Sequence, residues 1–182
     1  MSDNIFFDRS KLKYCGKNVI IGKTVRIRKP EECIIGDNTI IDDFAYISSA
    51  IEIGNNCHIG SHVCISGGDG KFKMGSYSTL SSHCSIHCAS SDYSEVSLDL
   101  PSVPQDLQFG GEIENIEIGD FVTIGSHSCI LPGVNIPNQF ACGAFTLLTK
   151  QPYNENSLYI GIPAKFLKYR NDDAFKQIKD KL

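Results

Sequence analysis

The chain has 182 residues, enough for one domain built on a single elongated core. Seventeen basic residues against 21 acidic ones give a formal net charge of −4, which excludes a general attraction to nucleic acid or to an anionic membrane surface. No apolar run approaches the roughly 20 residues of a membrane span, and residues 1–11 lack the apolar centre of an export signal, so a cytoplasmic protein is expected.

In chain order, residues 8–14 read as one helical turn and residues 18–21 as the first strand-like stretch. A ladder of apolar anchors follows: Ile21, Ile27, Ile35, Ile41, Ile47, Ile53, Ile59, Ile65, Met74, Leu80 and Ile86, then Ile118, Ile124, Ile130, Ile136, Cys142 and Leu148. Most steps are six residues, and a second small or apolar residue sits four positions after many anchors (Val25, Ala45, Cys57, Val63, Cys84, Val122, Ser128, Val134). Between Ile86 and Ile118, residues 87–115 form a protruding loop with Pro101, Pro104 and the acids Asp92, Glu95, Asp99 and Asp106. Loops this long in a compact domain usually carry function. Beyond residue 150 an extension to residue 182 begins at Gln151-Pro152, turns at Gly161-Ile162-Pro163-Ala164 and ends in a short charged helix over 172–182.

A period of six fits neither the 3.6 of a helix nor the alternation of an amphipathic strand. It fits a short strand, a tight corner and another short strand, with three sides closing a triangular coil. Successive coils hydrogen-bond at the spacing of about 4.8 Å between strands, and no coil can bury its apolar face alone. Gly after an anchor, as at Gly22, Gly36, Gly54, Gly60, Gly75, Gly119 and Gly125, is expected to relieve strain at the corner. The three steps longer than six (Ile27 to Ile35, Ile65 to Met74, Ile86 to Ile118) all leave the same corner when sides are counted in threes. A sandwich of ordinary strands would instead show period-two alternation. The expected fold is therefore all-β, a left-handed parallel β-helix of hexapeptide repeats over residues 15–150, in one domain spanning 1–182.

The same register gives the cysteines a plain role. Cys33, Cys57 and Cys84 fall at small interior positions, Cys142 at an anchor, and Cys64 and Cys129 point outward. Their spacing matches no zinc ribbon. Free, reduced thiols are expected.

The hexads from Ile118-Gly119-Asp120 through Leu131-Pro132-Gly133-Val134, together with Gly161-Ile162-Pro163-Ala164-Lys165, resemble the hexapeptide-repeat acyltransferases. Ser81-Ser82-His83-Cys84-Ser85-Ile86, Ser91-Asp92-Tyr93-Ser94 and Pro101-Ser102-Val103-Pro104 are similar to a narrower group, N-acyltransferases of nucleotide-linked amino sugars such as that of anthrose biosynthesis. The resemblance implies a homotrimer holding acyl-CoA, most simply acetyl-CoA, in a groove between subunits, and a nucleotide-linked amino deoxysugar destined for a surface glycan such as lipopolysaccharide. It implies Asp92 as base and Ser82 as a helper of the reacting carbonyl. For CoA it implies Gly125, the Gly143-Ala144 corner offering an N–H to the pantetheine arm, and a basic group of Lys150, Lys165, Lys168 and Arg170 near the phosphates. No metal is implied.

The chemistry is consistent with an amine acceptor. A neutral amine attacking a thioester becomes an acidic ammonium, from which even a weak base can take a proton; a hydroxyl needs its proton removed as it attacks, which suits a histidine. Galactoside-type O-acetyltransferases carry a histidine on this loop, whereas here only His87 stands at its root, and it is expected to point to solvent, as is His58. His62, His83 and His127 each stand three residues after an anchor of one side and should stack in a column. They are open to three readings: a base or orienting set, with His83 and His127 the catalytic candidates; a trimer-interface metal site as in γ-class carbonic anhydrases, whose ligand spacing they do not reproduce; or polar corner residues. Asp92 and Ser82 have structural alternatives too, an Asx-turn former and a corner residue bonding its own backbone. The competing functions are a sugar O-acetyltransferase with a histidine base and a carbonic-anhydrase-like metalloprotein.

Overall fold

The computed structural model describes residues 4–178 and Lys181. The chain winds through three parallel sheets that form the faces of a prism. The first face is built from Tyr14–Cys15, Ile34–Ile35, Ala50–Ile53, Lys71–Met74, Ile116–Ile118 and Asn135–Ile136. The second takes Ile20–Ile21, Ile40–Ile41, His58–Ile59, Thr79–Leu80, Thr123–Ile124 and Ala141–Cys142, and the third Arg26–Ile27, Tyr46–Ile47, Cys64–Ser66, Ser85–His87, Cys129–Ile130 and Leu147–Leu148. This is the left-handed parallel β-helix that the period of six predicts, and coiling begins one strand earlier than expected, at Tyr14.

The register explains the core. On the first face Ile35, Ile53, Met74, Ile118 and Ile136 lie side by side. Ile21, Ile41, Ile59, Leu80, Ile124 and Cys142 do so on the second, and Ile27, Ile47, Ile65, Ile86, Ile130 and Leu148 on the third. All are buried, each contributing about 1.5–3 kcal/mol of apolar transfer. The interior Thr39 and Ser128 are satisfied by the corners: Thr39 Oγ1 donates to Gly54 O and accepts from Cys57 N, and Ser128 Oγ donates to Gly143 O and accepts from Thr146 N. All eight cysteines are free thiols; Cys33, Cys57, Cys84 and Cys142 are buried, and Cys64 and Cys129 are half-buried on the outer face. Burial pushes the Cys33 and Cys84 thiols up to about 11.

Along the first two edges most turns give their third residue a positive φ, and these are not the glycines: Asn18, Asn38, Asn56, Tyr77, Phe121 and Gln139 occupy this position on the first edge, and Phe44, His62, His83, His127 and Phe145 on the second, all at φ 55–66°. The strain that a side chain would cause after the anchor therefore comes from contact and not from φ. A Cβ at Gly125 would lie 2.5 Å from Ala144 N, so the glycine is required by the close approach of the next coil.

The long steps leave the third edge, as counted: the turn at Pro30–Glu32, the Gly67–Gly70 loop and the excursion after His87. The excursion is clasped at its root by an antiparallel pair, Ala89–Ser90 with Glu112–Ile113. The C-terminal extension returns to the coil: Ser157–Ile160 pairs with Ala141–Cys142 and, in antiparallel fashion, with Lys165–Tyr169. Tyr159 caps the end of the core against Phe140. The short helix is Asp173–Ile178; residues 179, 180 and 182 of the expected helix lie outside the described residues.

Candidate active site

Two edges carry the predicted site residues. On the second edge the register stacks the rings of Phe44, His62, His83, His127 and Phe145 at centroid separations of 4.6–4.9 Å. The histidine column is therefore present, and its members are the turn residues of positive φ. His62 lies at 14° to His83, which lies at 2° to His127. Within one chain, nitrogens in parallel planes this far apart do not converge on one ion at the roughly 2.1 Å that zinc requires, and among the described residues of one chain no group of three or more His, Cys, Asp or Glu is placed to hold a metal.

Ser82 sits on the same edge, half-buried beside His83; its hydroxyl accepts from Ser61 Oγ at 3.3 Å and so does not simply bond its own backbone. Below it, Gly125 and Gly143 leave the edge narrow. The Gly143 N–H is engaged by Tyr159 O at 3.0 Å, whereas among the described residues the Ala144 N–H meets no acceptor. Of the predicted pair, Ala144 is thus the one whose N–H is left without an acceptor among the described residues.

The basic group is divided by its partners. Lys150 Nζ lies 2.7 Å from both oxygens of Glu114, tying the last coil to the root of the excursion. Arg170 Nη1 donates to Gln139 O at 2.8 Å and to Phe121 O and Phe140 O at 3.4 Å, clamping the final coils. Both therefore have structural partners, whereas Lys165 and Lys168 stand exposed on the last strand.

Asp92 lies on the third-edge excursion, an edge away from Ser82, so one chain does not bring the two together. It lines a cavity of about 770 Å³ with His87, Ala89, Ser90, Ser91, Tyr93, Ser94, Gly111, Glu112 and Leu131. Its Oδ1 accepts from Ser94 N at 2.8 Å and from Ser94 Oγ at 2.6 Å, an Asx-type turn. These two bonds hold its carboxyl below the usual carboxylate range. His58 is exposed, as expected, 2.7 Å from Asp42. His87 differs from expectation. It is half-buried, its Nδ1 is 3.3 Å from Ser66 Oγ, and burial holds its ring below the ordinary imidazole value. The anchor periodicity signals only that His87 faces outward; the excursion folding over it is a tertiary event with no local signature.

Comparison with known proteins matches residues 32–67 to the bacterial transferase hexapeptide family (six repeats). The dTDP-4-amino-4,6-dideoxy-D-glucose acyltransferase of Escherichia coli is 31% identical over 177 residues, covering 93% of this chain and 88% of that protein. The crystal structure of AntD, an N-acyltransferase from Bacillus cereus in complex with dTDP and 3-hydroxybutyryl-CoA, superposes with a TM-score of 0.87 at 28% identity, over 98% of this chain and 97% of the other. A maltose O-acetyltransferase from Clostridium difficile 630 shares the fold alone, with a TM-score of 0.56 at 18% identity over 90% of this chain and 72% of the other.

Proposed function

The chain belongs to the hexapeptide-repeat acyltransferases that include dTDP-4-amino-4,6-dideoxy-D-glucose acyltransferase, and from that premise we propose that it transfers an acyl group, most simply acetyl, from CoA to the amine of a dTDP-linked amino deoxysugar. The observation that carries this reading is the excursion from an otherwise regular prism, which holds a carboxylate, Asp92, in a cavity of about 770 Å³. A carboxylate there suits an ammonium-bearing sugar, and an amine nucleophile asks less of its base than a hydroxyl does.

Assembly follows from what the single chain leaves uncovered. The outward residues of the second face (Ile20, Ile40, His58, Thr79, Thr123, Ala141) and of the third beyond Arg26 (Tyr46, Cys64, Ser85, Cys129, Leu147) carry no acid and no Lys or Arg. On the first face they include Glu52, Lys73 and Glu117. The excursion also exposes Tyr93, Val96, Leu100, Leu107 and Phe109. A homotrimer in which the second edge of one subunit meets the excursion of the next covers these side chains and joins Ser82 to Asp92. In that groove Gly125 and Gly143 admit the pantetheine arm, Ala144 N–H binds it, Lys165 and Lys168 meet phosphate as charge-assisted donors, and Ser82 polarises the thioester carbonyl. His83 and His127 shape the wall of the groove as stacked rings. The compartment is the cytoplasm, in keeping with free thiols, and the product feeds a surface glycan.

The test is thiol release from acetyl-CoA with dTDP-amino deoxysugars and, in parallel, neutral sugars. Turnover on the amines, and a fall of about 100-fold in kcat/KM for Asp92→Asn, support the reading. Turnover confined to neutral sugars would replace it with the O-acetyltransferase.

A further inference from the structure

We propose that His87 receives the proton of the acceptor amine, with Ser66 holding its ring and Asp92 gripping the amine; the assignment rests on the amine acceptor proposed above. His87 is the last residue of Ser85–His87, at the point where the chain leaves the third edge, and its register partner on the neighbouring coil is Ser66. With Nδ1 turned to Ser66 Oγ at 3.3 Å, Nε2 is the nitrogen left for a proton in the cavity that His87 shares with Asp92. The titratable groups facing it there are Asp92, Tyr93 and Glu112; Ser66 and Leu131, on the flanking coils, are uncharged.

The two candidates for the proton differ in kind. Asp92 takes both the N–H and the hydroxyl of Ser94. A carboxylate so satisfied attracts a cation and keeps a proton poorly. An ordinary imidazole is a few hundredfold more basic than an ordinary carboxylate, and burial keeps His87 in the neutral form that can accept. The step balances as follows. The ammonium first gives one proton to solvent; the neutral amine nitrogen then bonds to the thioester carbonyl carbon, a second proton passes from that nitrogen to His87 Nε2, and the C–S bond breaks with its electron pair on sulfur. His87 then returns the proton to the CoA thiolate, leaving amide and free thiol.

The experiment measures thiol release on a dTDP-amino deoxysugar by the intact protein carrying His87→Gln or His87→Ala, across pH 5–9. The expected result is a fall in kcat of about 100-fold with KM for the nucleotide sugar nearly unchanged, disappearance of the acidic limb of the pH profile, and partial rescue of His87→Ala by added imidazole. Asp92→Asn should instead raise KM and keep that limb. Wild-type turnover with both His87 variants within threefold of it, or with their acidic limb intact, overturns the assignment alone. A wild-type protein that acylates no amine overturns the assignment together with the reading beneath it. Circular dichroism and acetyl-CoA affinity identify a variant that has lost its fold, and the milder His87→Gln then decides.

Discussion

The first and second edges of the prism use the same turn to different ends. On both, the residue of positive φ donates its N–H to the coil before: Asn56 to Asp37 O and Tyr77 to Asn55 O on the first edge, His83 to Ser61 O and His127 to Ser82 O on the second. They differ one residue earlier. On the first edge the N–H groups of Lys17, Asp37, Asn55, Ser76 and Asp120 each reach a side-chain oxygen of the next coil at 2.6–3.0 Å, in a ladder running through Asp37, Asn55, Ser76, Asp120 and Asn138. On the second edge, among the described residues, the nearest counterpart is in the first coil, where Thr24 N, one residue further on, reaches Asp43 Oδ1. Among the described residues, Ser61, Ser82, Ser126 and Ala144 have no such acceptor for their N–H groups. One edge is closed by its own side chains, whereas the other holds a row of N–H groups without acceptors among the described residues. Partly exposed N–H groups pay little when free monomer meets water and gain when a ligand amide or oxyanion arrives.

The comparison can be broken by exchanging the roles of equivalent positions. The largest effect is expected from Ser82→Ala, on the open edge: kcat should fall by about 30-fold, while KM for acetyl-CoA and the melting temperature stay close to wild type. A matched loss in KM, or none in kcat, would show that Ser82 does no more than receive the Ser61 hydroxyl. Next comes Asp120→Ala on the closed edge, which leaves Ser76 N–H without its 2.6 Å partner. It should cost about 1–2 kcal/mol, or a few degrees in melting temperature for a chain of this size. Ser126→Ala, at the equivalent place on the open edge, should stay within about 0.5 kcal/mol. Equal losses at both sites would erase the distinction between the edges.

How much of this the sequence discloses depends on whether a residue's neighbours lie at a fixed offset. Ile59 and Ile124 are readable as interior because their partners recur with the period, and the His62–His83–His127 column follows from the same count. So does the single edge that releases every insertion. That Gly125 must be small is legible, but the contact that demands it, Ala144 N, is not, because it lies a full coil away. The ladder is only half legible: Asp37, Asn55, Asp120 and Asn138 mark the closed edge, yet Ser76 joins it while Ser61 and Ser82 pair with each other. For Lys150 and Arg170 the charge is visible in the sequence, whereas the partners Glu114 and Gln139 O are not. His87 was hidden for the complementary reason. The excursion that half-buries it obeys no period.

The smallest effect tests the open edge most directly. Ala144 is the second residue of its turn, followed by Phe145 at φ 56°, the pattern of a type II turn, where proline is favoured at that second position. Proline there is compatible with the fold and removes the one N–H assigned to the pantetheine arm. Ala144→Pro should therefore leave stability unchanged or raise it by about 0.5 kcal/mol through a stiffer unfolded chain. It should weaken acetyl-CoA binding about tenfold, the worth of one lost hydrogen bond, in a calorimetric titration. The same substitution at Asp37, whose N–H is bonded to Asn55 at 2.7 Å, should destabilise the protein and leave CoA affinity alone. Stability and affinity would thus move separately on the two edges, and a proline at Ala144 that leaves CoA affinity intact would remove the donor role from that corner.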